Sequence, residues 1–102
     1  MASREELQTE LESLLGTRQV YFNPPENVRM TYPAIVYSRP GYIESRANDK
    51  AYTWRPRYEV TIIDTDPLAD YVDRMLKRFT MVTHNSTYVG DGLYHYSFTL
   101  YY

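Results

Sequence analysis

Cysteine is absent from the 102 residues of this chain. No disulfide can staple the fold, which removes the usual device of small secreted domains and points to a reducing compartment. No apolar run approaches the roughly 20 residues that a membrane-spanning helix requires. The opening residues, Met1-Ala-Ser-Arg-Glu-Glu6, lead into an acidic amphipathic segment rather than an apolar signal-peptide core, so no leader is expected. Glycine is scarce at four residues, and only Gly90 and Gly92 lie close together, so no phosphate-cradling loop is encoded. A net charge of −2 supplies no global basic field to recruit nucleic acid.

Tyrosine, by contrast, is abundant: twelve residues. Its large apolar face and polar tip suit subunit interfaces. Its strand propensity offers the simpler account, that tyrosine fills a sheet. The length suits a single domain over residues 1–102 with a modest core.

The strongest local signal is at the C-terminus. From Gly92 to Tyr102 the chain alternates, with Tyr94, Tyr96, Phe98, Leu100 and Tyr102 on one side and His95, Ser97, Thr99 and Tyr101 on the other. An apolar strand face of this kind must be covered, which places the last strand inside a sheet. With Val82–Val89 it forms a hairpin whose register depends on the turn. A three-residue Gly90-Asp91-Gly92 loop sets Tyr88 against Tyr94 and Val82 against Leu100. A two-residue Asp91-Gly92 loop sets Asn85 against Phe98 and Thr87 against Tyr96. The first keeps apolar opposite apolar and is the expected register.

Upstream, Ser3-Arg-Glu-Glu6 reads as a capping box, Leu7, Leu11, Leu14 and Leu15 form an apolar stripe, and Gly16 terminates the helix. Arg18–Phe22 reads as a short strand, stopped by Asn23-Pro24-Pro25. Tyr32–Ser38 reads as a central covered strand opened by Pro33. Tyr58–Asp64 is a further strand. Asp66 and Pro67 are expected as N-cap and first residue of a second helix that buries Leu68, Tyr71, Val72, Met75, Leu76 and Phe79. The resulting order is α-β-β-ribbon-β-α-β-β. It describes an α+β fold with a single mostly antiparallel sheet packed by two helices, a projecting β-ribbon and a C-terminal β-hairpin.

Residues 39–57 are the irregular part. Arg39, Arg46, Lys50, Arg55 and Arg57 against Glu44 and Asp49 give a local charge of +3. Tyr42 and Ile43 lie on one arm and Tyr52 and Trp54 on the other, around an Asn48-Asp49-Lys50 turn. Three readings stand side by side: a stacking platform for nucleic acid, a protein-docking arm built from hot-spot residue types, and a solvated loop. The candidate interface residues are therefore Tyr42, Arg46, Lys50, Tyr52, Trp54 and Arg55.

No constellation calls for catalysis. Asp64, Asp66, Asp70 and Asp73 could be read as an Asp-x-Asp metal site. They are read more simply as a helix cap, as complements to the helix dipole and as i,i+4 partners of Arg74 and Lys77. His84 and His95 fall on opposite faces of the hairpin in the expected register, which argues against a shared metal ion. Neither Ser86 nor Ser97 sits in a nucleophile-elbow glycine pattern. Neither metal nor cofactor is expected, and no enzyme activity.

Three stretches carry a resemblance. Tyr21-Phe-Asn-Pro-Pro-Glu-Asn-Val-Arg-Met-Thr-Tyr-Pro-Ala-Ile-Val-Tyr37, Arg57-Tyr-Glu-Val-Thr-Ile-Ile-Asp64 and Tyr96-Ser-Phe-Thr-Leu-Tyr-Tyr102 resemble the tail terminator or tail-completion proteins of long-tailed bacteriophages. The likeness spans most of residues 18–102. It implies a virion protein, made in the host cytoplasm, that forms a ring of usually six subunits on the head-proximal end of the tail tube. Such a ring halts tube polymerisation and offers a docking surface to neck or connector proteins. DNA passes through its lumen unbound, and no membrane is involved. A head-completion or connector protein is the nearest alternative, and a cytosolic oligomeric ligand-binding α+β domain a more distant one.

Overall fold

A computed structural model of the chain describes residues 4–24, 29–42, 56–67 and 69–102. The order of elements is α1 (Arg4–Leu15), β1 (Val20–Phe22), β2 (Ala34–Tyr42), β3 (Pro56–Asp64), α2 (Tyr71–Arg78), β4 (Val82–Gly90) and β5 (Leu93–Tyr101). The strands form one sheet in the order β1-β2-β3-β5-β4. β1 runs parallel to β2, and every other pair is antiparallel. The fold is α+β, with two helices on a five-stranded mixed sheet.

Period-two alternation decides which residues meet the helices. Ile35 and Tyr37 of β2 lie opposite Ile62 and Val60 of β3, which lie opposite Tyr96 and Phe98 of β5. Together with Tyr58 and Leu100 these residues are buried, and they form one cluster with Leu7, Leu11, Leu14 and Leu15 of α1 and Tyr71, Met75 and Phe79 beside them. Both helices thus cover the same face. The leucine stripe of α1 is the expected one, and Gly16, at φ 88°, ends the helix by donating its N–H to Glu12 O at 2.9 Å. The last strand is interior, as its alternation requires, and Tyr94 and Tyr102 complete its apolar face at the margins of the core.

The hairpin departs from expectation in an instructive way. Gly90 pairs with Leu93, so the loop is the two-residue Asp91-Gly92 turn. Both turn residues have positive φ, 54° and 74°, as a type I′ turn demands. Tyr88 consequently faces His95 rather than Tyr94, and Thr87 faces Tyr96. Yet Val82 still faces Leu100, because the register shifts at Asn85 and restores apolar pairing beyond it. A β-bulge absorbs the mismatch. It leaves His84, not Asn85, opposite Phe98, and the two histidines end on opposite faces of the hairpin as expected.

The second helix is shorter than expected and starts later. Asp66 and Pro67 belong to a turn, and α2 begins at Tyr71 with Asp70 as N-cap. The carbonyl of Asp66 accepts a hydrogen bond from Tyr96 Oη at 3.2 Å, which holds that turn against the sheet instead of the helix. Tyr71, Met75 and Phe79 are buried at i, i+4 spacing, while Leu76 lies off that narrow stripe and is 47% exposed. Leu68 lies outside the described residues. Toward the end of β2, a register shift between Ser38 and Gly41 precedes the pairing of Tyr42 with Pro56, and the expected ribbon at 43–55 lies outside the described residues. Pro56 stands at the first residue of β3, where the missing N–H is tolerated.

Candidate protein interface

Of the residues marked by sequence as interface candidates, Tyr42 closes β2 by pairing with Pro56. Arg46, Lys50, Tyr52, Trp54 and Arg55 lie outside the described residues. The described surface offers three other features with partner-binding chemistry.

The first is the sheet face away from both helices. Its rows run Ser38–Glu59–Thr99 and Val36–Thr61–Ser97 across β2, β3 and β5. A polar chain crosses three strands here. Asn85 Nδ2 donates to Thr99 Oγ1 at 2.8 Å, and Thr99 Oγ1 donates to the Glu59 carboxylate at 3.4 Å. Arg57 Nε approaches Glu59 Oε2 at 3.6 Å, an ion pair too long to be a hydrogen bond. At the far end of this face the Tyr88 ring stacks on His95 with centroids 4.7 Å apart and planes 4° from parallel. Tyr88 is 52% exposed, and neighbouring Val89, whose side chain lies on the other face, is 62% exposed.

The second is the two borders of the sheet. β4 is nine residues long, mostly exposed, and carries no Asp, Glu, Lys or Arg. β1 is three residues long, and the outward groups of Val20 are occupied. Val20 N–H donates to Arg18 O at 2.8 Å, and Val20 O accepts from Gln8 Nε2 at 3.0 Å. The Gln8 amide is itself held in place, since its Oε1 accepts from Tyr37 Oη at 2.5 Å. One border is thus met by a side chain of α1, and among the described residues no strand pairs with the other. Sequence reading missed Gln8; its position beside the leucine stripe is the only signal, and a polar residue there reads as ordinary surface.

The third is a wide-open groove of about 510 Å³ lined by Glu5, Glu6, Thr9, Glu10 and Tyr102. Tyr102 Oη donates to Glu10 Oε2 at 2.5 Å, and Arg78 Nε donates to Glu10 Oε1 at 3.2 Å. Burial, and then the bond to Glu10, pushes the Tyr102 phenol up to about 12. The groove is acidic by virtue of α1, whose exposed face carries glutamates.

The aspartates separate by role. Asp64 is buried and accepts from Thr65 N–H at 2.6 Å and Tyr71 Oη at 2.7 Å. Burial, then that bond, raises the Tyr71 phenol. Burial, then the charges of Asp64 and Asp66, raises Tyr96. Asp70 and Asp73 pair with Arg74 and Lys77 at 2.9 and 3.0 Å, as the i,i+4 spacing predicts. Among the described residues, no three His, Cys, Asp or Glu side chains converge to hold a metal ion. His84 Nε2 lies 2.9 Å from Thr87 Oγ1, and its ring packs on Phe98.

Buried tyrosines are well explained by the fold itself. Tyr37, Tyr71 and Tyr96 each turn the ring into the core and the hydroxyl to a partner. Comparison of the chain with protein-family models, with curated proteins and with solved structures finds no match.

Proposed function

We propose that the chain is a virion structural protein that forms a ring on the head-proximal end of a phage tail tube, where it ends tube growth and receives the neck or connector protein. The proposal rests on the sequence resemblance of residues 21–37, 57–64 and 96–102 to tail terminators. The observation that carries it on the structural side is the one-sided architecture. Both helices lie on one sheet face, and the opposite face presents Ser38, Thr61, Ser97 and Thr99 with Glu59 and Arg57. Such a polar face suits lateral contact between subunits or a lumen that DNA traverses without being gripped. The role is architectural, with no catalysis and no cofactor. The partners are further copies of the chain, the tail tube protein and the neck protein, and the location is the virion.

A cyclic ring needs two different surfaces that complement each other on neighbouring subunits. The +3 stretch of residues 39–57 and the glutamate face of α1 have opposite sign and would serve as such a pair. Reversing Arg46, Lys50 and Arg55 to Glu is expected to abolish ring and tail assembly while leaving the far-UV circular dichroism of the chain unchanged. Normal tails assembled with that variant would overturn the docking role. A phage lacking the gene separates terminator from connector: overlong tails mark a terminator, and normal-length tails that fail to join heads mark a neck protein.

A further inference from the structure

We propose that the open border of the sheet pairs with the same border of a second copy, so that β4 meets β4 antiparallel about a two-fold axis and two five-stranded sheets become one of ten strands. This contact goes beyond the ring, whose neighbours are related head to tail; a two-fold contact of this kind joins chains before they enter a ring, or joins two rings face to face.

The argument begins with what an edge strand does. Its outer row of N–H and C=O groups is a template for another strand, and proteins that avoid such pairing place Lys, Pro or other charge there. β4, Val82-Thr-His-Asn-Ser-Thr-Tyr-Val-Gly90, has none of these. It does have a bulge at Asn85, which interrupts the ladder and limits clean pairing to Ser86–Gly90. Counting from the two-residue turn, ladder alternation turns the backbone groups of Thr87 and Val89 away from β5. These are the groups that a new strand would bond.

The opposite border does not fit as the partner. The outward N–H and C=O of Val20 are already bonded, to Arg18 O and by Gln8 Nε2, and β1 has only three residues. Head-to-tail continuation of the sheet from β4 to β1 would have to break the Gln8 contact. The like border does fit. Centring the pair on Tyr88 brings Tyr88 opposite its own copy on one face and Thr87 opposite Val89 on the other. No like charges meet, and the two most exposed large apolar side chains among the described residues, Tyr88 and Val89, become covered.

The chain lacks cysteine, so one introduced thiol reports the contact without background. In Tyr88→Cys, cysteines facing each other in a non-hydrogen-bonded antiparallel pair stand within disulfide reach. Mild oxidation is expected to convert the variant to a covalent dimer, whereas Leu76→Cys, nearly as exposed on α2, stays uncoupled. In Val89→Lys, light scattering is expected to give half the mass of the unaltered chain, with unchanged circular dichroism. A single-chain mass of 12.1 kDa for the unaltered protein at all concentrations overturns the proposal. So does an unchanged mass in Val89→Lys, or coupling of Tyr88→Cys no faster than Leu76→Cys. A chain that passes these tests but never forms rings would instead refute the tail-terminator reading.

Discussion

The tyrosine hydroxyls do more than decorate the strands. Tyr71 bonds the buried Asp64 carboxylate at 2.7 Å and so fixes the start of α2 to the end of β3. Tyr71→Phe keeps the ring and removes only that bond to a charged acceptor. It is expected to cost about 1.5–3 kcal/mol, read from the urea unfolding midpoint. Gln8→Ala removes the acceptor of the Tyr37 O–H and the donor to the Val20 carbonyl, while Arg4 still donates to the phenol oxygen, and about 1–3 kcal/mol is expected to be lost. The phenols also set an alkaline limit. Tyr102 is raised from 10.0 to about 12 in the fold, so the folded chain holds this proton more tightly than the unfolded chain does. That contribution is complete below pH 10 and disappears as the pH rises from 10 toward 12, because the unfolded state deprotonates first. Unfolding midpoints are expected to fall across that window, and to fall less steeply in Tyr102→Phe.

At the scale of elements, the C-terminal hairpin depends on two positions. Gly92 has φ 74° and open space where a Cβ would stand, so Gly92→Ala meets only backbone strain, with an expected cost of about 1–2 kcal/mol. Asn85 is the extra residue that lets a two-residue turn coexist with Val82 opposite Leu100. Deleting it closes the ladder with His84 still opposite Phe98 and Val82 still opposite Leu100, so the core face is kept, only the bond to Thr99 is lost, and a thermal midpoint close to that of the unaltered chain is expected by circular dichroism. These two positions also show where reading the sequence stops. The alternation of β5, the leucine stripe of α1 and the Asp–Arg and Asp–Lys pairs of α2 follow from local spacing and were legible. The turn and the bulge compensate each other, and no local pattern announces two offsets that cancel. The late start of α2 was hidden for a similar reason. Asp66-Pro67 is a good helix opening taken alone, but a hydrogen bond from Tyr96, thirty residues away, holds it in a turn.

For the molecule as a whole, charge is segregated along the chain. Arg4–Leu15 carries four glutamates against one arginine, and residues 39–57 carry the opposite excess. If these surfaces meet in a ring, raising the salt from 0.1 to 1 M, which shortens electrostatic reach from about 10 to about 3 Å, is expected to dissolve rings without unfolding the subunits. Electron microscopy and circular dichroism on the same samples would check both halves of that expectation. Little of the candidate interface was visible in the sequence beyond composition, because an interface is a surface and its residues come from strands far apart in the chain. Glu59, Asn85 and Thr99 become one polar chain only when β3, β5 and β4 lie side by side. The closed border of the sheet has a different kind of consequence. In the language of polymer chemistry, the contacts of Val20 with Gln8 and Arg18 make the subunit a monofunctional monomer. Coupling through the sheet consumes the reactive β4 end of each molecule and halts at the pair, as a chain stopper halts a condensation. Removing Gln8 would uncover the Val20 carbonyl alone, half of what a second reactive end requires, since the Val20 N–H stays on Arg18 O.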